Sequence, residues 1–251
     1  MNDNYASEIM QILSEGLKPH GFNVAKGSHF FIRVLNGEIM QIIYPRFLPT
    51  PELGLYTFTI ETTVNSIYMS RLSKKTIYGH KRLLYQFLSD LERAVIPWQK
   101  YCYVYDSNNV KDISQKALSD IIKYIIPSYN NVTTLESFVE YSFKENLSDL
   151  YPNTPISCDN LVWYALPDKF DIKKLIESLV PLMKEMYKKD RENGLSEAEL
   201  LKKAELFFYE RYLDPLNKIK NDREKMDGIK KEMEIRKKDN VSFLTKNGIK
   251  V

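Results

Sequence analysis

Apolar residues recur at three- and four-residue steps from Tyr5 to Leu17, where Tyr5, Ile9, Ile12, Leu13, Gly16 and Leu17 share one side. This period predicts an amphipathic helix. Lys18-Pro19-His20-Gly21 ends it, because proline cannot continue the hydrogen-bond ladder and glycine accepts a positive φ. An extended segment begins at Phe22 and Val24, and the period then drops to two. His29–Leu35 and Glu38–Tyr44 flank Asn36-Gly37, which predicts a hairpin with a type I′ turn. A two-residue loop sets Leu35 opposite Glu38 and Arg33 opposite Met40. Phe30, Ile32, Val34, Ile39, Gln41 and Ile43 then share one face. His29, Phe31, Arg33, Leu35, Glu38, Met40, Ile42 and Tyr44 share the other. Alternation from Leu55 to Val64 predicts a third strand, with Pro45, Pro49 and Pro51 marking a loop or irregular edge before it. Helical spacing returns from about His80, with Leu83, Leu84, Phe87, Leu88, Leu91 and Val95 on one side up to Pro97-Trp98.

The pattern changes at Asp106-Ser107-Asn108-Asn109, a run of turn formers that predicts a boundary. Residues 1–105 read as an α+β domain: an N-terminal helix, an antiparallel sheet and a helix. Residues 106–251 read as a mainly α-helical region with a charged C-terminal helix. Within it, Ile113, Ala117, Leu118, Ile121, Ile122 and Ile125 predict a helix ending near Pro127. Thr133-Thr134-Leu135-Glu136 reads as a capping box, residues 148–169 as an irregular connector, and Asp171 as the cap of a helix to about Lys189. Ser196-Glu197-Ala198-Glu199 caps a further helix that kinks at Asp214-Pro215. Asn217 to Asp239 is mostly charged, with Ile219, Met226 and Met233 seven residues apart. Such a segment is either a solvated helix docked by one stripe or a coiled-coil arm.

Composition narrows the class. Hydrophobic residues make up 43% and charged residues 27%, a globular balance. A formal charge of +3 gives no strong pull towards nucleic acid or anionic lipid. Two cysteines, Cys102 and Cys158, exclude a disulfide scaffold and a multi-cysteine zinc module. No apolar run is long enough to span a bilayer, and Met1–Tyr5 lacks the basic region of a secretory signal. The expected setting is cytoplasmic, without membrane contact.

Several short motifs carry a resemblance. They are Leu17-Lys18-Pro19-His20-Gly21-Phe22 after the first helix, aromatic Phe30-Phe31, the Asn36-Gly37 turn, Gln41-Ile42-Ile43 and the closing Ile96-Pro97-Trp98. Through them, residues 1 to 105 resemble the bacterial domain-of-unknown-function 4304 family. Tyr44-Pro45-Arg46 departs from the polar step that the family often carries after its second strand. The resemblance implies a small α+β fold, no established activity, and an association with bacterial toxin–immunity and defence gene neighbourhoods.

Chemical motifs are sparse. His20, His29 and His80 have no second His or Cys at ligand spacing. Neither common phosphate-binding glycine motif occurs, nor does a nucleophile elbow. Asp168, Asp171 and Lys173 imitate a nuclease acid–acid–lysine set, but a three-residue spacing at a helix start suits capping better. No catalytic residue, metal or cofactor is therefore expected.

The leading expectation is a non-enzymatic bacterial protein-binding module of a toxin–immunity or phage-defence system, acting on another protein or on a second copy of itself. The alternatives are a metal-dependent nuclease or other enzyme with a scattered site, and a nucleic-acid-associated accessory factor. The sheet's second face supplies the predicted protein-binding residues: Phe31, Arg33, Leu35, Met40, Ile42 and Tyr44. An apolar face of that size stays open only if something docks on it, and the C-terminal helices are the intramolecular alternative.

Overall fold

The structure, a computed structural model, describes residues 3–48, 56–69, 72, 82–83, 102–148, 162, 177, 196–210 and 214–251. The fold is α+β. The chain divides into two compact units: residues 1–134 together with 239–251, and residues 135–238.

The first unit opens with α1 (Asp3–Leu17), whose Ala6, Ile9, Leu13 and Leu17 are buried at the predicted helical spacing. A 3₁₀ turn, Lys18–His20, follows and closes on Gly21 at φ 85°. Six strands then form one antiparallel sheet: β1 (Asn23–Val24), β2 (Phe31–Leu35), β3 (Ile39–Leu48), β4 (Tyr56–Ser66), β5 (Arg82–Leu83) and β6 (Tyr103–Tyr105). The spatial order is β1-β2-β3-β4-β5, with β6 also paired to β4. Helix α2 (Val110–Asp120) runs into a π-helical turn, Ile121–Ile125, and a short α3 (Ile126–Asn130). Pro127 was expected to end the helix near its position. Instead the chain widens into the π turn and continues helically, with Pro127 in the first turn of α3.

The hairpin turn forms where expected, but its register differs. Asn36 and Gly37 have φ of 53° and 64°, and the Glu38 N–H donates to the Leu35 carbonyl at 3.0 Å. The ladder, however, pairs Leu35 with Ile39 and Arg33 with Gln41, leaving Glu38 as one extra residue. The Ile67 N–H donates to the Glu38 carbonyl at 2.7 Å, so the end of β4 draws this residue out of the β2 ladder. A one-residue slip exchanges faces. Phe31, Arg33 and Leu35 share a face with Ile39, Gln41 and Ile43, whereas Met40 and Ile42 stand with Ile32 and Val34.

The first of these faces continues through Phe58 and Ile60 of β4 to Tyr103 and Tyr105 of β6, all buried. Helices α1 to α3 cover it. The Tyr5 ring meets Tyr56 and Tyr105 edge-on, the Tyr103 hydroxyl donates to Asp120 at 2.8 Å, and the Tyr129 hydroxyl donates to the Ile42 carbonyl. The opposite face is not an open patch either. Met40 and Ile42 are 0% and 1% exposed, and Glu61, Thr63 and Asn65 beside them are buried as well.

Two other elements depart from the sequence reading. Pro45, read as the start of a loop, lies inside β3 opposite Ile60. The β2 ladder has already ended at Phe31–Ile43, so β3 is an edge on that side and tolerates a residue without an N–H. Arg82 and Leu83, read as the start of a helix, pair with Thr62 and Glu61 as β5; the remainder of that predicted helix lies outside the described residues.

Residues 239–251 complete the first unit. The fully buried Asn240 accepts the Leu72 N–H at 2.8 Å and donates to the Ile67 and Met69 carbonyls at 2.8 and 3.1 Å. Leu244 and Ile249 are buried, and the Lys26 N–H donates to the Asn247 carbonyl. The Asp106–Asn109 turn therefore joins β6 to α2 within this unit instead of separating two units, because the helices after it bury their apolar sides on the same sheet.

The second unit contains α4 (Leu135–Ser148), α5 (Glu197–Phe208), α6 (Asp214–Lys220) and most of α7 (Arg223–Lys246). Helix α5 opens with a reciprocal capping box between Ser196 and Glu199, as its sequence predicts. Helix α6 opens at Asp214-Pro215, the predicted kink. On α7, Met233 is buried, Met226 and Ile229 are half-buried, and Ile235 is 47% exposed. The 148–169 connector and the helix from Asp171 fall almost wholly outside the described residues.

Candidate functional site

The turn after α1, the strand β3 and the end of α3 each supply a partner to one side chain, Arg33. Gly21 ends the turn after α1 and directs the His20 carbonyl towards β2, where it accepts from Arg33 Nη1 at 3.0 Å. Phe22, next in the chain, places its ring 4.9 Å from the guanidinium carbon. Across the ladder, Gln41 Oε1 accepts from both Nε and Nη2 of Arg33, closing one edge of the guanidinium. Asn130, at the end of α3, accepts from Nη2 at 3.0 Å through Oδ1.

Gln41 passes the network inward. It is fully buried, and its Nε2 donates to the Tyr129 and Val132 carbonyls at 2.6 and 2.9 Å. Asn36 in the hairpin turn donates to the Thr133 carbonyl at 2.9 Å. Arg33, Gln41 and Asn36 thus seat the chain from Tyr129 to Thr133 on the sheet, satisfying carbonyls that a helix end leaves open.

The electrostatics of Arg33 are unusual. Every acceptor around it is neutral, and no carboxylate lies within ion-pair distance among the described residues. Burial pushes its pKa below the ordinary arginine value, and Tyr129 acts in the opposite sense. The guanidinium stays charged at neutral pH. A guanidinium has five N–H donors; the four bonds described leave one Nη1–H over. Arg33 is half-buried, while Asn130 and Gly21 beside it are exposed, so the charge reaches the surface.

The six residues predicted to bind a partner do not form one surface. Phe31, Met40 and Ile42 are buried; Arg33 and half-buried Leu35 lie on the helix-covered face; Tyr44 lies on the other, stacked on Phe30 at 4.7 Å. Sequence reasoning missed Gln41, Asn130 and the His20 carbonyl. Gln41 had a signal: a lone amide inside Ile39-Met40-Gln41-Ile42-Ile43 must find partners if buried. Asn130 had none, lying 97 residues from Arg33.

Elsewhere, Glu61 forms an ion pair with Arg46 at 3.0 Å. Cys102 is half-buried, and burial raises its thiol pKa, away from the reactive thiolate. His29 is exposed against the Phe47 ring. His80, Cys158, Asp168, Asp171 and Lys173 lie outside the described residues, and among the described residues no three His, Cys, Asp or Glu side chains are grouped to hold a metal. No described helix is long and apolar enough to cross a membrane. No protein-family model, curated protein or solved structure matches the chain.

Proposed function

We propose that the protein is a non-enzymatic protein-binding module, and that it serves a bacterial toxin–immunity or phage-defence system, as the family resemblance of its first 105 residues implies. One observation carries the binding reading: Arg33 is held in a fixed pose at the surface by neutral groups only. Arginine is prominent among the residues that dominate protein interfaces, and one already ordered in the free protein loses little freedom on binding. Leu35 on the same face supplies apolar contact beside it.

The test is purification of the tagged full chain from its native host. The expected result is one stoichiometric protein partner. A bound divalent metal with turnover of a nucleic acid or phosphoester, abolished by a single Asp, Glu or His substitution, overturns the reading in favour of an enzyme. Copurifying nucleic acid without a protein partner overturns it in favour of an accessory factor.

A further inference from the structure

We infer that Arg33 is an anion seat, and that the anion it takes is a carboxylate of the partner protein. The inference rests on the protein-binding reading and gives the partner its chemistry. A cation whose bonds all end on neutral acceptors keeps its full charge, and partial exclusion of water strengthens its pull on an anion. The geometry supplies the receiving edge. Gln41 closes the side formed by Nε and Nη2 from within the fold. The other Nη2–H carries only Asn130, an exposed side chain, and Nη1 retains one N–H. A carboxylate that displaces the Asn130 oxygen takes the outer Nη2–H in a charge-assisted bond, stronger than the neutral one it replaces. The turn whose His20 carbonyl holds Arg33 also carries the exposed Lys18 and the half-buried His20, and it contains no acidic residue. A single fixed guanidinium in a chain of net charge +3 fits one acidic side chain better than a nucleic-acid backbone, which requires a row of cations.

The experiment uses the full chain carrying ¹⁵N-labelled arginine, with the Arg33 Nε–H resonance followed by NMR. The probes are an acetylated hexaglutamate, hexaglutamine and an oligothymidylate of matched charge. The expected result is a saturable shift with hexaglutamate, none with hexaglutamine, and at least tenfold weaker binding in Asn130→Asp, a near-isosteric change that fills the seat with the chain's own carboxylate. No saturable shift, an equal response to hexaglutamine, or undiminished binding in Asn130→Asp overturns the inference. Tighter binding of the oligothymidylate overturns it in favour of a nucleic acid. The two proposals fail separately. A partner that copurifies equally with wild type and Asn130→Asp leaves the binding reading standing and removes the seat. No partner with wild type removes the binding reading, while the titration still reports on Arg33.

Discussion

At the scale of single residues, Gln41 does more for the fold than its place in an apolar strand announces. Its amide joins β2, β3 and the end of α3, accepting two bonds from Arg33 and donating two to carbonyls. Gln41→Leu keeps the bulk and removes four hydrogen bonds, although the Tyr129 carbonyl retains the Val132 N–H; the expected loss is on the order of 2–5 kcal/mol in urea unfolding, since unmade buried bonds cost more than made ones return. Tyr103 provides a pH-dependent counterpart. Burial, then the Asp120 charge and the bond to it, raise its pKa well above the usual tyrosine value. The unfolded chain ionises its tyrosines near ~10. Stability from this group is therefore intact below pH 10 and falls as pH rises beyond it, because the unfolded state alone releases the proton. Tyr103→Phe should flatten the decline of the melting temperature above pH 10. A lone Gln among aliphatics was readable as a residue in need of partners. The identity of those partners was not, because they arrive from positions 129–132 through the tertiary fold.

At the scale of elements, the apolar period locates several helices and strands well. Helix α1, the capping box of α5 and the strands β2 and β4 fall close to where apolar spacing puts them. Register was not legible, because it turns on Glu38, whose carbonyl is captured by Ile67 and whose carboxylate accepts the Tyr68 hydroxyl at 3.2 Å. The turn sequence alone describes an isolated hairpin, and this hairpin is not isolated. The packing of α1 on α2 has a similar hidden determinant. A Cβ on Gly16 would overlap the side chain of Leu118, so glycine is needed there for close approach and not for a turn. Gly16→Ala should lower the melting temperature despite its better helix propensity. Adding Leu118→Ala should recover part of the loss, and a stabilised Gly16→Ala single variant would contradict the packing.

At the scale of the whole molecule, the chain's last residues are part of the first unit's core. Asn240→Ala leaves the Leu72 N–H and two carbonyls unpaired in a buried site, at an expected cost on the order of 3 kcal/mol. Truncation after Lys238 removes Asn240, Leu244 and Ile249 together and should abolish the sharp near-ultraviolet circular dichroism of packed aromatics. Residues 1–105 alone lack α2, α3 and this segment, and are expected to aggregate. A linear reading placed a boundary at the first cluster of turn formers. Nothing in local composition reveals that a segment beginning at Asp239 returns to the unit whose described strands end at Tyr105.

That return has a consequence for biosynthesis. The Leu72 N–H leaves the ribosome 168 residues before the side chain that receives it. At bacterial and eukaryotic elongation rates, the gap lasts roughly ten to thirty seconds. Throughout that interval the nascent sheet has no Asn240, Leu244 or Ile249 to pack against it. Chaperone demand during translation should therefore depend on how quickly the codons for residues 135–238 are read, and synonymous slow codons there should lower the soluble yield of an unchanged protein.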